Sequence, residues 1–378
     1  MSGKSSARDL VASPDRKETI AVNANIQALR AIAAYGVVIH HIIFSYDHYI
    51  GVGRAPVSIN IGATGVEIFF VISGYIMSKT TDISGISPSR FIQNRLFRVV
   101  PSYWLLTLFA VAIVQTGFTL FGLHDINLEH FLCSLLFLPE LDAAGHILRP
   151  ILFVGWTLEF EMLFYFIFFL TLYLKPIIYR KVSVLFVLSV LMIFGQYSSD
   201  AYLRYLFSEL LLAFMLGILI HVSEARISLT CFAAFGLMAI SVLGLATVDT
   251  LPDVTKTSAG HVIVIVAAAL LVVSAVGLER RGLTVGRGFL MRQGDASYAI
   301  YLIHPFILQF IGKLAIATGI AASNIGLAAT TLVMLIASGF GGTIFYRCLD
   351  APFVASMKRR LWNRGAPDGI ATKRFVNL

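Results

Sequence analysis

The stretch "LRAIAAYGVVIHHIIF", residues 29–44, is apolar enough to cross a membrane but carries one arginine and two adjacent histidines. A helix needs about 20 predominantly apolar residues to span the hydrocarbon core of a bilayer. Ionisable side chains inside such a segment are costly, and in membrane proteins they usually mark a functional site. The stretch therefore predicts a membrane helix that carries part of a site.

The composition of the whole chain agrees with a polytopic membrane protein. Its 378 residues are 57% hydrophobic and 13% charged, with a mean hydropathy of +0.82, which excludes an ordinary soluble domain. We expect an all-α transmembrane bundle of about ten spans over residues 25–352, with short polar tails at 1–24 and 353–378. The ten predicted helices are 25–46, 62–80, 99–121, 152–173, 177–195, 203–221, 229–247, 259–279, 297–318 and 324–348.

The distribution of basic residues predicts the orientation of this bundle. With an even number of spans, both termini lie on one side, and that side carries 23 lysines and arginines. The opposite loops hold only Arg54, Arg149, Arg204 and Lys256. Because cytoplasmic loops collect Lys and Arg, we predict cytoplasmic termini. The net charge of +8 then reflects topology rather than nucleic-acid binding.

Arg30 and His41 are predicted to share one face of the first helix. They are 11 positions apart, a rotation of about 1100° that ends about 20° from alignment, with a rise of about 16 Å. His40 points about 100° away. A ligand that contacts both Arg30 and His41 must be elongated, with an anionic part at the arginine. The alternative is that Arg30 snorkels to the interface and His41 makes a structural hydrogen bond.

Carboxylates follow in two other helices. In "GATGVEIFFVISGYIM", residues 62–77, Glu67 lies about two turns in, at a depth comparable to that of His41. A carboxylate beside an imidazole fixes the tautomer of the ring and raises its basicity, as a general base requires. Glu159 and Glu161 are about 200° apart on a helix. Only one of these two is therefore expected to face a cavity.

Further polar groups predict an anion site and a lined cavity. Arg95 and Arg98 are three residues apart, hence on one helical face, and guanidinium groups bind phosphate bidentately; the alternative is a simple orientation signal. Ser297, Tyr301 and His304 form a polar stripe that either lines a cavity or holds helices together. A coenzyme A thioester fits a basic entrance that leads to a deeper histidine.

The three cysteines, Cys133, Cys231 and Cys348, are far apart in the sequence. They match no metal-binding or disulfide spacing. We expect them to be packing residues and expect no metal.

Five quoted motifs resemble those of the integral-membrane acyltransferase family 3, and within it the bacterial exopolysaccharide O-acetyltransferases. The motifs are "LRAIAAYGVVIHH", "GVEIFFVISGYIM", "RFIQNRLFRVVPSYW", "WTLEFEMLFY" and "SYAIYLIHPFI". The sequence departs from the family pattern at Glu67, where aspartate is more usual, and at Asp350, where glutamate is more usual. The catalytic residues that the resemblance implies are His41, Glu67 and Glu161. The donor-binding residues that it implies are Arg30, Arg95, Arg98, Tyr301 and His304.

The resemblance implies transfer of an acyl group, most often acetyl from acetyl-CoA, to a hydroxyl of a surface or exported carbohydrate. We expect His41 to act as general base, oriented by Glu67 or Glu161, with an acyl-histidine as the alternative. Arg30 would bind donor phosphate or stabilise charge at the thioester.

The resemblance also implies a setting for this reaction. The implied location is the cell inner membrane. The implied partners are a lipid-linked sugar acceptor and the polysaccharide biosynthesis machinery, and the loop 122–150 is expected to select the acceptor.

A transporter or flippase for an anionic glycolipid is the competing function, because buried charges also mark translocation routes. The sequence shows no inverted repeat that would support it.

Overall fold

The fold is described from a computed structural model, and the structure describes residues 23–46, 64–82, 87–249, 257–285 and 288–362. These residues are almost entirely helical. The helices are α1 (Ala24–Ser45), α2 (Gly65–Thr81), α3 (Pro88–Gln115), α4 (Leu128–Leu136), α5 (Trp156–Thr171), α6 (Ile177–Tyr197), α7 (Ala201–Leu206), α8 (Leu210–Ser223), α9 (Cys231–Asp249), α10 (Ser258–Arg280), α11 (Phe289–Asp295), α12 (Ser297–Ala317), α13 (Asn324–Phe345) and α14 (Ala351–Trp362). Strands β1 (Glu140–Leu141) and β2 (Ile147–Leu148) pair antiparallel, with Glu140 opposite Leu148.

Eight helical segments of the described chain are long and apolar enough to cross a membrane: 24–45, 88–115, 153–171, 177–197, 201–226, 258–280, 297–317 and 324–360. This confirms the all-α membrane class. All ten predicted windows fall on helices, but α2 has only 17 residues and α9 belongs to the shorter apolar helices. The ten-span count and the side of the termini therefore stay predictions.

Two predicted helices differ from those of the structure. The helix predicted at 99–121 begins at Pro88, where the Ser87 side chain caps the first turn by accepting a hydrogen bond from the Arg90 amide (3.2 Å). Its first turns carry arginines, so a search for apolar windows missed them. It ends at Gln115, and Gly117 then adopts a φ of +84°, a conformation that favours glycine.

The second difference is at 203–221, where the predicted helix is interrupted, although the segment 201–226 is still long and apolar enough for a single span. Helix α7 ends at Leu206 and α8 starts at Leu210. The polar residues Ser208 and Glu209 lie in the interruption, and Glu209 Oε1 is 3.1 Å from His261 Nδ1 on α10. This long-range contact is not visible in a local hydropathy window.

Helix α1 lies at the centre of the bundle and contacts α2, α10, α11, α12 and α13. The side chain of Glu279 on α10 holds its N-terminus, accepting hydrogen bonds from the amides of Ala24 (2.9 Å) and Asn25 (2.8 Å). A carboxylate at a helix N-terminus satisfies free amides and complements the helix dipole. These contacts fix the position of Arg30, less than two turns further along.

Helices α2 and α8 approach each other closely because glycines face each other in their interface. A Cβ added to Gly74 would lie 2.1 Å from the Phe214 carbonyl oxygen, and one added to Gly217 would lie 2.1 Å from the Val71 carbonyl oxygen. Small residues allow such backbone contact between membrane helices. The packing of α8 therefore sets the position of α2, whose other residues line the cavity described below.

The described part of the predicted C-terminal tail is helical. It belongs to α14, which contacts α3, and Lys358 on this helix is only 8% exposed. Residues 1–22 and 363–378 of the two predicted tails lie outside the described residues.

Candidate active site

A central cavity of about 1260 Å³, its open mouth included, lies between α1, α2, α3, α5 and α12. Five of the eight residues predicted for the site line it: Arg30, Arg95, Arg98, Glu161 and Tyr301. Lys79 and the tyrosines Tyr75, Tyr165 and Tyr298 also contribute to its wall. The sequence thus predicted most of the charged groups of one cavity from three separate helices, and Tyr301 from a fourth.

The three arginines of the central cavity have few protein partners. Arg30 and Arg95 are 9% and 7% exposed. Arg30 Nη1 donates to Gln27 Oε1 (3.2 Å) and Arg95 Nη2 donates to Thr80 Oγ1 (3.1 Å), while Arg95 Nε has no hydrogen-bond partner. In the described part of the chain, no carboxylate oxygen lies within 4.0 Å of any of the three guanidinium groups. The cavity therefore holds three guanidinium groups, two of them buried, that the described residues do not pair in direct salt bridges. Glu161 in the same cavity interacts with Arg30 and Arg95 only at longer range.

Asp295, at the end of α11, is an acidic group close enough to interact electrostatically with these arginines. Burial raises its pKa, although the charges of Arg30 and Arg98 act to lower it. Burial disfavours the charged form of a carboxyl group. Asp295 nevertheless forms no ion pair with these arginines, because its carboxylate oxygens lie more than 4.0 Å from their guanidinium groups.

Of the two glutamates on α5, Glu161 faces the central cavity. Its Oε1 accepts hydrogen bonds from Ser73 Oγ (3.3 Å) and from the Tyr165 hydroxyl. Glu159 is 3% exposed and accepts a hydrogen bond from the Tyr205 hydroxyl (2.8 Å) outside the cavity. The two side chains diverge as their angular spacing predicted.

His41 faces the interior of the bundle and contacts His304 on α12. His41 Nδ1 is 3.0 Å from His304 Nε2, and the two rings stack with centroids 5.0 Å apart. Ile32 and Ile39, on the opposite side of α1, are 56% and 42% exposed. Arg30 and His41 therefore share the interior face of α1, as the 11-residue spacing predicted.

The partner of His41 Nδ1 is thus a histidine and not one of the glutamates considered from the sequence. Glu161 is bound to Ser73 and Tyr165, and Glu67 Oε2 is buried without a hydrogen-bond partner. Phe69 lines the cavity but Glu67 does not, because residues two apart are separated by about 200° on a helix. Similar depth in the membrane does not make two side chains meet when they leave their helices in different directions.

Tyr301 separates the central cavity from the histidine pair. It lines the cavity, its hydroxyl donates to the Val154 carbonyl (2.8 Å), and its ring centroid is 6.0 Å from that of His304. His304 is fully buried and is not part of the cavity wall. The predicted donor-binding role of His304 is therefore less direct than that of the arginines.

Lys79 is a cavity residue that the sequence reading missed. Its Nζ donates to the Tyr75 hydroxyl (3.1 Å) and lies 3.4 Å from Glu224 Oε1. In the sequence, Lys79 was considered only as one of the 23 basic residues on the predicted cytoplasmic side. The helical spacing of three and six residues from Ile76 and Ser73, which line the same cavity, would have placed it on this face.

Comparison with known proteins identifies the family. A family model described as an acyltransferase domain matches residues 23–346. The chain belongs to acyltransferase family 3. It is 33% identical over 311 residues to the exopolysaccharide production protein ExoZ of Rhizobium meliloti (strain 1021), covering 79% of this chain and 92% of ExoZ. This membership makes it a multi-pass membrane acyltransferase and favours a transferase over a transporter.

A second relative matches over a shorter range. The putative membrane-bound transacylase BcsY of Komagataeibacter xylinus is 32% identical over 128 residues, which is 31% of this chain and 32% of BcsY. No solved structure shows a significant match.

Proposed function

We propose that this protein moves an acetyl or other short acyl group from acyl-CoA to a hydroxyl of a cell-surface or exported carbohydrate, in the inner membrane. The observation that carries the proposal is the central cavity, in which Arg30, Arg95 and Arg98 have no carboxylate partner within 4.0 Å among the residues that the structure describes. The name of the relative ExoZ, an exopolysaccharide production protein, supports the acceptor class.

The donor is inferred from the charge and shape of the cavity. Buried charges are costly unless they are paired, so three unpaired guanidinium groups favour an anionic ligand. Guanidinium forks suit phosphate oxygens, and coenzyme A carries phosphates at one end of a long, narrow arm. The phosphates would bind the arginines and Lys79, and the thioester would lie toward Tyr301.

The reaction needs a base because a sugar hydroxyl is a weak nucleophile at neutral pH. We assign this role to His41, which would accept the hydroxyl proton while the oxygen attacks the thioester carbonyl carbon. The C–S bond then breaks, and the coenzyme A thiolate takes the proton from the imidazolium. Such a positioned base contributes roughly 10²–10⁴-fold in rate. Glu161, and not Glu67, is the carboxylate that we place in the site, because Glu161 lines the cavity.

Titration of the purified protein with acetyl-CoA tests the donor assignment. We expect the triple variant Arg30→Ala, Arg95→Ala, Arg98→Ala to bind about 100-fold more weakly or worse, because charge-assisted hydrogen bonds are lost. A matched triple variant of exposed arginines outside the cavity, Arg204→Ala, Arg226→Ala, Arg281→Ala, should bind as the wild type does. Equal affinity of the wild type and the cavity variant would overturn the proposal.

Mass spectrometry of surface glycans tests the acceptor assignment. Cells that produce the protein should carry O-acyl groups on a glycan that is unmodified in cells without the gene. The mass difference gives the acyl chain length. Identical glycans in both strains would contradict a carbohydrate acceptor.

A further inference from the structure

The hydrogen bonds of the His41–His304 pair can be assigned a direction atom by atom. His304 Nδ1 lies 3.2 Å from the carbonyl oxygen of Ile300, on the preceding turn of α12. A carbonyl oxygen only accepts, so His304 Nδ1 carries the proton. A neutral imidazole has one N–H, and the remaining nitrogen of His304, Nε2, therefore holds a lone pair.

The direction of the second hydrogen bond follows from the first. His304 Nε2 is 3.0 Å from His41 Nδ1, and because Nε2 can only accept, His41 Nδ1 must donate. His41 Nε2 is then unprotonated. The two bonds form a chain from His41 Nδ1–H to His304 Nε2, and from His304 Nδ1–H to the Ile300 carbonyl.

Protonation of His304 would reverse the second bond, but the surroundings disfavour a charge on either ring. His304 is 0% exposed, and in the described part of the chain no carboxylate oxygen lies within 4.0 Å of either ring. Burying an unpaired charge is costly. Both rings are therefore neutral in the resting protein.

We propose that His304 is a positioning residue, which holds His41 in the tautomer with a protonated Nδ1 and thereby makes His41 Nε2 the base. The other ring nitrogen's hydrogen bond sets which nitrogen of a histidine is protonated. Nε2 takes the proton of the acceptor hydroxyl, and the bond from Nδ1–H to His304 stabilises the imidazolium until the proton passes to the leaving thiolate. This inference rests on the proposed function for its catalytic consequence, but the tautomer itself does not.

The tautomer is tested by ¹⁵N NMR of protein labelled at histidine, with the His41 signals assigned by their loss in His41→Asn. We expect a protonated Nδ1 and an unprotonated Nε2 for His41 in the wild type. The opposite pattern would overturn the proposal, whatever the activity of the protein.

The catalytic consequence is tested by two substitutions of His304. In His304→Gln an amide oxygen can still accept from His41, and we expect kcat to stay within about 10-fold of the wild type. In His304→Leu the acceptor is lost, and kcat should fall by about 100-fold while KM for acetyl-CoA is unchanged. His221→Leu is the matched control, a partly buried histidine that contacts Ser78 Oγ (2.9 Å) and is absent from the cavity wall.

The outcomes separate this inference from the proposed function. Equal losses in His304→Gln and His304→Leu would indicate a packing role and contradict positioning. Full activity of His304→Leu would also contradict it. If His41→Ala is fully active, the proposed base is wrong, but the ¹⁵N spectrum of His304→Leu still decides whether His304, rather than the Val37 carbonyl that also hydrogen-bonds the His41 ring, fixes the tautomer.

Discussion

The arginines of the central cavity and the carboxylates of the loop 122–150 differ in whether the protein pairs them. In the cavity, Arg30, Arg95 and Arg98 have no carboxylate within 4.0 Å in the described chain. In the loop, Glu140 Oε2 is 2.6 Å from His130 Nδ1. Charges that a protein already pairs stabilise its own structure, whereas buried charges left unpaired are available to a ligand.

Asp142, at the hairpin of strands β1 and β2, is a second loop carboxylate that the protein itself engages. Its Oδ1 accepts hydrogen bonds from the amides of His146 and Ala144, both at 2.8 Å. The backbone hydrogen bond from His146 holds the pKa of Asp142 below its usual range. The loop was predicted to select the acceptor through its acidic residues, but Glu140 and Asp142 are engaged in holding the loop together.

The largest effect is expected behind Tyr301, outside the cavity wall, from His41→Ala. Loss of the base should reduce acyl transfer by about 10²–10⁴-fold, measured as O-acylation of glycans by mass spectrometry at equal protein level. The matched control is His40→Ala, whose side chain leaves α1 about 100° away and which should keep most of the activity. Normal acylation in His41→Ala would remove the proposed mechanism.

Substitution of a cavity arginine should weaken ligand binding without lowering the stability of the protein. We expect Arg95→Ala to weaken acetyl-CoA binding about 10- to 100-fold, because a charge-assisted contact is removed. Its thermal midpoint should be equal to or above that of the wild type, since an unpaired buried charge is removed. A lower midpoint with unchanged affinity would show that Arg95 is structural.

The reverse pattern is expected for the loop carboxylate Glu140. In Glu140→Ala, the partly buried His130 loses its partner, which should cost about 1–3 kcal/mol of unfolding free energy. Acetyl-CoA affinity should not change, because Glu140 is outside the cavity wall. Thermal unfolding and donor titration of the same sample measure both quantities, and a large loss of affinity would break the distinction between the two regions.

The smallest effect is expected from Asp142→Ala at the exposed hairpin. Because the pKa of Asp142 is lowered in the folded protein, its contribution is present above the unfolded pKa of about 3.9 and is lost as the pH falls below that value. Hydrogen exchange of the hairpin should therefore be faster in the variant at pH 7, and the difference should shrink as the pH falls from about 4 through the lowered pKa of Asp142 in the folded protein. A difference that is independent of pH would exclude the carboxylate as its cause.

Much of the site was predictable because helical periodicity is a local property. The spacing of Arg30 and His41 placed both on the interior face of α1, and the spacing of Glu159 and Glu161 predicted that they diverge. Both expectations agree with the structure. Lys79 was missed because it was treated as a loop charge and not followed along the face of α2.

The partner of His41 was not predictable from the same arguments. Depth along the membrane suggested Glu67 or Glu161, but contact between two helices also depends on the direction in which each side chain leaves its helix. That direction is set by neighbours far away in sequence, such as the close contact of Gly74 and Gly217 with the opposing backbones, which positions α2 against α8. His304 thus contacts His41 across 263 residues of sequence.

The sequence by itself determined the helical membrane class, the family, and which face of each helix carries its charged groups. These depend on composition, motifs and a fixed rotation per residue. Only the tertiary structure decided that the arginines remain unpaired in one cavity and that a histidine, rather than a carboxylate, contacts His41. Pairing requires side chains from different helices within about 3–4 Å, and the relative positions of helices come from packing across the whole bundle.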